Sequence, residues 1–158
     1  MGIRSFLAFE LPQDFPPIIR PAAEALRGAC PDVCWVKVEN IHITVVFLGD
    51  LPAEALAPLG RACKQVCAAF GPFEIALNGI GTFGPKRHPR VLWMGLQGDL
   101  DRMDRFRRTL YPELAPFGVS PEKRPFRPHL TLGRFRKSIT QTPRERDAAL
   151  GTCREVSS

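Results

Sequence analysis

Two copies of a His-x-Thr tripeptide are the residues of this sequence best suited to chemistry. The chain reads Ile-His-Ile-Thr-Val around His42 and Pro-His-Leu-Thr-Leu around His129, so each half holds one copy, and together they hold two of the three histidines. Side chains alternate across a strand, so Thr44 shares a face with His42, and Thr131 shares one with His129. A single tripeptide of this kind is commonplace on a strand, but two copies in the same apolar frame predict a two-histidine site.

Two imidazoles that face a common substrate suit general acid–base catalysis near neutral pH, one accepting a proton while the other donates one. Metal chelation would need a third or fourth ligand, and no further His, Asp or Glu stands at a suitable spacing around either motif. We therefore expect no metal and no other cofactor. The threonine hydroxyls, together with a cation, can hold a tetrahedral anion such as phosphate and stabilise charge in its transition state.

The charge distribution is consistent with an anionic partner. The chain has 158 residues, of which 44% are hydrophobic and 24% charged, which is typical of a globular domain. Residues 1–79 carry 6 basic and 8 acidic side chains, whereas residues 80–158 carry 16 and 8, so the whole excess behind the net charge of +6 lies in the second half. This asymmetry favours nucleic acid or a phosphorylated metabolite as partner, although a basic surface also serves solubility.

The sequence predicts a cytoplasmic protein without a membrane segment. No apolar run approaches the roughly 20 residues that span a bilayer, and the first residues lack the pattern of a signal peptide. Five cysteines, an odd number, argue against a secreted disulfide framework. The pairs Cys30/Cys34 and Cys63/Cys67 have wider spacing than the usual zinc knuckle, and the second pair fits the apolar positions of a helix.

Hydrophobic periodicity predicts an alternation of strands and helices, and hence a protein of the α/β (α+β) class. No Gly/Ser-rich linker divides the chain, which favours a single domain of two compact lobes, the first half with the His42 motif and the second with the His129 motif. The residues after Lys137 are left without an assigned element. The predicted strands span residues 3–11, 33–38, 41–48, 73–83, 91–96 and 129–135, and the predicted helices span 14–28, 56–70 and 99–114.

Three segments together resemble a known family. They are the stretches Phe6–Pro12 (Phe-Leu-Ala-Phe-Glu-Leu-Pro), Trp35–Gly49, which contains Glu-Asn-Ile-His-Ile-Thr-Val-Val-Phe-Leu-Gly, and Arg127–Arg134 (Arg-Pro-His-Leu-Thr-Leu-Gly-Arg). As a set they are similar to the bacterial RNA 2′,3′-cyclic phosphodiesterases, also called 2′-5′ RNA ligases, of the two-histidine (2H) phosphoesterase superfamily. The resemblance runs from the first residues to about Phe135.

The resemblance implies a bilobal 2H phosphoesterase fold, in which two antiparallel sheets form a central groove with the helices outside. It also implies a metal-free enzyme that opens the 2′,3′-cyclic phosphate at an RNA end, or in a cyclic nucleotide, to a 2′-phosphomonoester. By position, His42 would donate a proton to the leaving 3′ oxygen, and His129 would activate water. Thr44 and Thr131 would bind the non-bridging oxygens.

Four further side chains are candidate substrate contacts. Arg127 stands two residues before His129, so it shares that histidine's face and is at least as good a candidate as Arg134 on geometry. Arg134 stands three residues after Thr131, so it alternates to the opposite face unless the strand bulges, although the family commonly has a basic residue there. Phe9 and Trp35 could stack on a terminal base, with core packing as the alternative for Phe9.

Two further functions remain open at this stage. One is 2′-5′ ligation, the reverse reaction at the same site, and the other is a non-catalytic RNA-binding module. Family members usually continue through a strand and a hairpin, whereas this chain ends at Arg154–Ser158, so the sequence predicts a shortened C-terminal sheet. A monomer is expected.

Overall fold

The computed structural model describes residues 1–154, in which strands and helices alternate as predicted. None of the helices in this part of the chain is long and apolar enough to cross a bilayer. The elements in chain order are β1 (Ile3–Glu10), α1 (Phe15–Ala29), β2 (Val33–Trp35), β3 (His42–Leu51), α2 (Ala53–Ala68), β4 (Ile75–Phe83), β5 (Val91–Gly98), α3 (Leu100–Leu114), β6 (His129–Phe135) and α4 (Pro143–Arg154).

The segment before β3 differs from the prediction. A strand was expected over residues 33–38, but β2 ends at Trp35 and a 3₁₀ turn follows at Val38–Asn40. The Asn40 N–H donates to the Lys37 carbonyl at 2.8 Å, and the buried Val38 side chain holds the turn against the protein. Local turn hydrogen bonds have thus replaced a strand ladder that an apolar pattern alone favoured.

The C-terminal region, in which the sequence predicted no helix or strand, forms α4. Its first turn is a capping box, in which the Glu145 N–H donates to Thr142 Oγ1 while the Thr142 N–H donates to the Glu145 carboxylate at 2.7 Å. Pro143 occupies the first helical position, where its missing N–H costs nothing. The shortened C-terminal sheet predicted from the chain end concerns residues that include Glu155–Ser158, which lie outside the described residues.

Contacts group the described chain into two compact units, each assembled from several segments rather than from one half of the sequence. The first unit comprises Met1–Phe9, Thr44–Ile75 and Gln97–Pro128, and the second comprises Glu10–Ile43, Ala76–Leu96 and the chain from His129 onward. Both His42 and His129 therefore belong to the second unit, although they lie in different halves of the sequence. That the whole chain forms one bilobal domain stays a prediction.

The first unit is built around the packing of α2 on α3. Each helix has an apolar stripe at 3.6-residue spacing, as the sequence pattern predicts for a helix that buries one face. Partly buried aromatic rings pack against the edge of this core. The buried side chains of the cluster are Val45, Val46, Leu48, Leu51, Leu59, Cys63, Val66, Phe106, Leu110, Tyr111, Leu114 and Val119.

In the second unit the strands pair antiparallel. β6 lies between β3 and β5, β4 follows β5, and β2 also pairs with β6. The antiparallel α+β architecture is thus confirmed. The predicted division into two separate sheets is not confirmed, because β3 pairs with β6 through Ile43 and Leu130. Helix α1 packs on α4, with Ile19 and Leu26 fully buried.

A buried carboxylate fastens the segment before α4 to the second unit. Asp32 is 4% exposed and accepts hydrogen bonds from the backbone N–H groups of Thr140 and Gln141 and from the Thr140 hydroxyl, at 2.8 to 2.9 Å. Arg146, also buried, donates to the carbonyls of Gln141 and Lys86 at 2.7 Å. Burial alone would raise the pKa of Asp32, but these hydrogen bonds and the Arg146 charge outweigh it and lower the pKa.

Replacing Asp32 by asparagine should destabilise the protein by about 1.5–3 kcal/mol at pH 7, because the amide places a donor against the backbone N–H donors. The lowered pKa means that the carboxylate contributes stability above pH 4, which is lost as the pH falls through the folded pKa. The difference in unfolding free energy between wild type and Asp32→Asn should therefore shrink between pH 7 and pH 3 in urea titrations. Asp14→Asn is the control, because Asp14 is exposed and its side chain makes no capping hydrogen bond. An equal loss of unfolding free energy in this variant would contradict the role assigned to Asp32.

Candidate active site

The first histidine stands at the start of β3, where the strand alternates between two faces. Ile43 and Val45 are 2% and 4% exposed, whereas His42 and Thr44 are half-buried on the other face. This is the alternation that the sequence predicted. His42 Nδ1 lies 2.9 Å from the carbonyl oxygen of Asn40. Because a carbonyl oxygen only accepts, Nδ1 donates in this hydrogen bond, which fixes the orientation of the imidazole ring.

The 3₁₀ turn that supplies this carbonyl is itself anchored. Glu39, one residue before Asn40, accepts a hydrogen bond from Arg20 of α1 at 2.8 Å. The hydrogen bond from Arg20 is the largest cause of a lowered pKa at Glu39. Val38 buries its side chain at the other end of the turn. Helix α1 thereby fixes the backbone that orients the His42 ring.

The second histidine begins β6, which pairs antiparallel with β3. Leu130 and Leu132 are fully buried, and His129 and Thr131 are half-buried on the opposite face. Ile43 and Leu130 are direct partners, so the neighbouring positions His42 and Thr131 also lie opposite each other. The structure therefore sets His42 of the first motif opposite Thr131 of the second on adjacent strands, on the polar face that also carries His129.

The other neighbour of β6 leaves space beside this histidine. On β5, Gly95 pairs with His129 and Trp93 pairs with Thr131. Partners across antiparallel strands share a face, so His129 meets no side chain from its direct partner on β5. A Cβ at Gly95 would collide with the Asn78 carbonyl oxygen. Glycine is thus required here by the close approach of the β4 backbone.

A β-bulge brings Arg134 to the same face. The register between β5 and β6 shifts after Trp93, because Leu92 pairs with Gly133 and leaves Leu132 as an extra residue on β6. As a result Arg134 pairs with Val91, which lies on the same face of β5 as Trp93. Arg134 is exposed there. The alternation that placed this arginine opposite Thr131 in the sequence is thus reversed by one inserted residue.

Two aromatic side chains that the sequence did not single out lie next to the second histidine. The Phe83 ring, at the end of β4, is nearly perpendicular to the His129 imidazole, with 4.8 Å between centroids. Trp93 lies 5.1 Å from Phe83 and 6.5 Å from His129, again between centroids. The only sequence signal was an aromatic residue within each predicted strand, which is equally typical of core packing.

Two of the predicted substrate contacts, Phe9 and Trp35, lie elsewhere. Phe9 packs in the first unit against Phe73 and Phe106, with centroids 5.4 and 5.3 Å away, so core packing, the alternative reading, describes it. Trp35 pairs with Gly133 and so lies on the sheet face opposite Thr131, where Arg27 of α1 covers its ring at 5.6 Å.

Arg127 does not follow the strand alternation that was used to place it. Strand β6 begins at His129, and Pro128 before it has no N–H to extend the ladder. Arg127 is exposed in the loop that precedes the strand. The inference that it shares a face with His129 therefore lacks its structural basis.

A separate cleft of about 1010 Å³ lies in the first unit between α3 and the loop before β6. Its lining includes the buried Arg107, whose guanidinium donates to the Val45 carbonyl at 3.2 Å and lies over the rings of Tyr111 and Phe126. Asp104 and Glu122 pair with the same guanidinium at 3.8 and 3.6 Å. These partners fully account for the arginine as a structural group.

The described residues contain no group of three or more His, Cys, Asp or Glu side chains that could hold a metal ion. The two cysteines of α2 lie in different environments, since Cys63 is buried and Cys67 is exposed. Burial is the largest cause of a raised pKa at Cys63, which keeps it a neutral thiol and a poor metal ligand.

The sequence of this chain is similar to those of known proteins. The family model of the 2′-5′ RNA ligase superfamily matches residues 15–153. An RNA 2′,3′-cyclic phosphodiesterase of Geobacillus stearothermophilus is 36% identical over 82% of this chain, which spans only 41% of that protein. An enzyme of the same name from Methanothermobacter thermautotrophicus is 33% identical over 93% of this chain and 76% of its own length.

Solved structures of other proteins have a similar fold. The Thermus thermophilus protein TT0787 superimposes with a TM-score of 0.74 at 24% identity, covering 89% of this chain and 79% of its own. E. coli LigT, crystallised with 3′-AMP, superimposes with a TM-score of 0.64 at 25% identity, covering 89% of this chain and 78% of its own. The architecture described above is thus shared with these two proteins.

Proposed function

Because this chain belongs to the 2′-5′ RNA ligase superfamily, we propose that it is an RNA 2′,3′-cyclic phosphodiesterase that converts a terminal 2′,3′-cyclic phosphate to a 2′-phosphomonoester. The observation that carries the proposal is the pairing of Ile43 with Leu130, which sets His42 opposite Thr131 on adjacent strands, on the face that also carries His129. The relatives named for this activity are the second support.

The reaction requires that one proton is removed from water and one is donated to the leaving 3′ oxygen. In the proposed mechanism His129 removes a proton from water as the water oxygen attacks phosphorus, and a new P–O bond forms. The bond from phosphorus to the 3′ oxygen breaks, and His42 donates a proton from Nε2 to that oxygen. The products are a 2′-phosphomonoester and a 3′-hydroxyl. The hydrogen bond from Nδ1 to Asn40 aims Nε2 of His42 for this transfer.

Charge builds up on the non-bridging oxygens in the transition state. Thr131, on the face of His42 and His129, is proposed to donate a hydrogen bond to one of them, and Thr44, two residues after His42 on β3, is proposed to donate another. Arg134, which the bulge turns to the face of Thr131, supplies the positive charge that a phosphoryl group requires. We assign Arg134 to this role in preference to Arg127. The steps use side chains of this chain alone, without a metal or a nucleotide cofactor.

Ligation is the second candidate function, because the matching family model carries that activity in its name. In ligation a 5′-hydroxyl of RNA would replace water as the nucleophile at the same phosphorus. We further propose that the protein acts on RNA ends or cyclic nucleotides, as a monomer, in the cytoplasm. Cys34, Cys63 and Cys67 are free thiols, which supports a reducing compartment.

An assay on RNA ends separates these functions. An oligonucleotide that ends in a 2′,3′-cyclic phosphate is incubated with the protein, with and without a second RNA that carries a 5′-hydroxyl. We expect the cyclic end to become a 2′-phosphate in both reactions. A 2′-5′ junction as the sole product would establish the ligase instead, and tight binding without conversion would leave only an RNA-binding module.

A further inference from the structure

Helix α3 carries three arginines at three-residue spacing, so they follow one side of the helix. Together with the residues after α2 they line an open cavity of about 480 Å³ that belongs to the first unit. None of the described residues that line this cavity is acidic. The lining consists of Ala69, Phe70, Arg102, Arg105, Arg108 and Thr109.

The two outer arginines of the cavity are held in place by protein groups. Arg102 donates to two backbone carbonyls of the segment after α2, at 2.7 and 3.0 Å, and pairs with Asp99 at 3.3 Å. Arg108 pairs with Asp104 at 2.6 Å. Each of these guanidinium groups is therefore positioned before any ligand arrives, which lowers the entropy that binding costs.

The central arginine, Arg105, has no such partner. Its exposed side chain makes no ion pair or hydrogen bond with any residue that the structure describes. Asp101, one helical turn earlier, has the spacing that favours an ion pair, but it lines the neighbouring cleft instead. The cavity thus contains one positive charge that no described carboxylate offsets, between two guanidinium groups that are already fixed.

A phosphodiester has the chemistry that matches this cavity. It carries one negative charge on two non-bridging oxygens, and a planar guanidinium donates to such oxygens in pairs. Thr109 donates its hydroxyl hydrogen to the Arg105 carbonyl at 2.9 Å, which leaves the arginines as donors for a ligand. Ala69 and Phe70 supply an apolar lining, and attraction between charges is stronger where less water surrounds them.

We propose that this cavity binds a backbone phosphate of the RNA strand whose cyclic end is hydrolysed. The inference rests on the proposed function and adds an RNA contact in the first unit, whereas His42 and His129 belong to the second. A phosphate contact of this kind raises the affinity for RNA chains over cyclic mononucleotides and carries no preference for a base.

The first test compares a short and a long substrate in Arg105→Gln. Adenosine 2′,3′-cyclic phosphate has no further backbone phosphate. An RNA of about 20 nucleotides with a 2′,3′-cyclic end exceeds the roughly 4–16 nucleotides that single-strand-binding domains cover. The variant should lower kcat/KM for the RNA about 3- to 10-fold, through KM, and leave kcat/KM for the mononucleotide within about twofold.

Direct titration measures the same contact without turnover. Fluorescence anisotropy of the labelled RNA product, which ends in a 2′-phosphate, gives Kd over a range of salt concentrations. One phosphate contact to a single strand contributes about 0.7 to the slope of log Kd against log salt concentration, so Arg105→Gln should lower the slope by about that amount. Arg61→Gln is the matched control, because Arg61 is an exposed arginine of α2 that does not line the cavity. It should keep the wild-type slope and KM.

Equal losses in Arg105→Gln and Arg61→Gln would show that only the overall charge matters, and the inference would be wrong. An acidic peptide that competes with the labelled RNA as well as unlabelled RNA of equal charge would also overturn it, because the surface would then bind protein. If the wild type turned over neither substrate but bound RNA in a manner that depends on Arg105, the proposed function would fail while the RNA site would stand.

Discussion

Alanine in place of His129 is expected to lower kcat for a 2′,3′-cyclic nucleotide by about 100- to 10,000-fold, the usual contribution of a positioned general base. The side chain is half-buried on the polar face of β6, so its removal leaves the aliphatic core beneath the strand intact. Steady-state hydrolysis of adenosine 2′,3′-cyclic phosphate measures the loss, and circular dichroism and thermal unfolding confirm that the variant is folded.

His42→Ala should show a loss of the same order, because the leaving oxygen then lacks its proton donor. The double variant should be little worse than either single variant, since the two imidazoles act as a unit. The third histidine provides the matched control: His88 is exposed in the loop between β4 and β5, and His88→Ala should retain full activity. Full turnover in both His42→Ala and His129→Ala would rule out the assignment of catalysis to the two motifs.

Thr131→Val is expected to lower kcat by about 100- to 1,000-fold, the cost of removing one donor to a developing oxyanion. Valine keeps the shape and the strand preference of threonine and deletes only the hydroxyl. The loss should fall on kcat more than on KM, because the hydrogen bond strengthens as charge builds on the phosphate oxygens. Hydrolysis rates at saturating cyclic nucleotide give the comparison, and Thr44→Val should behave alike.

Thr82→Val is the control for this substitution. Thr82 lies on β4 one position before Phe83, so its side chain points to the sheet face away from His129. It is half-buried like Thr131 and carries the same hydroxyl. A comparable loss of kcat at this position would mean that threonine hydroxyls matter for the sheet and not for the phosphate.

The sequence was sufficient to predict the polar faces of the two motifs. Alternation over two residues is a local property, so the burial of Ile43 and Leu130 and the partial exposure of His42 and His129 follow directly from the order of residues. The bounds of β6 were also predicted correctly, because Pro128 marks its start. Local steric rules thus supply most of the candidate site.

The sequence did not predict the features that depend on the pairing of strands distant in the chain. The bulge at Leu132 arises from the register of β6 on β5, and it reverses the face of Arg134. The contact of Phe83 with His129 joins residues 46 positions apart in the chain. No local pattern encodes the register of non-neighbouring strands, so neither feature could be derived from residue order alone.

The C-terminal helix is a different case, because its signal was present and local. Thr142, Pro143 and Glu145 form a helix start that sequence rules describe, followed by residues of good helix propensity. The docking site for this helix was not visible, since Asp32 lies more than 100 residues before the backbone groups that it binds.

The most direct measurement is the product of adenosine 2′,3′-cyclic phosphate hydrolysis by the wild-type protein in excess chelator, identified by phosphorus NMR. Two-histidine acid–base catalysis with His42 as donor to the 3′ oxygen predicts 2′-AMP as the sole product, at a rate that the chelator does not change. Formation of 3′-AMP, loss of turnover on chelation, or no turnover at all would contradict it.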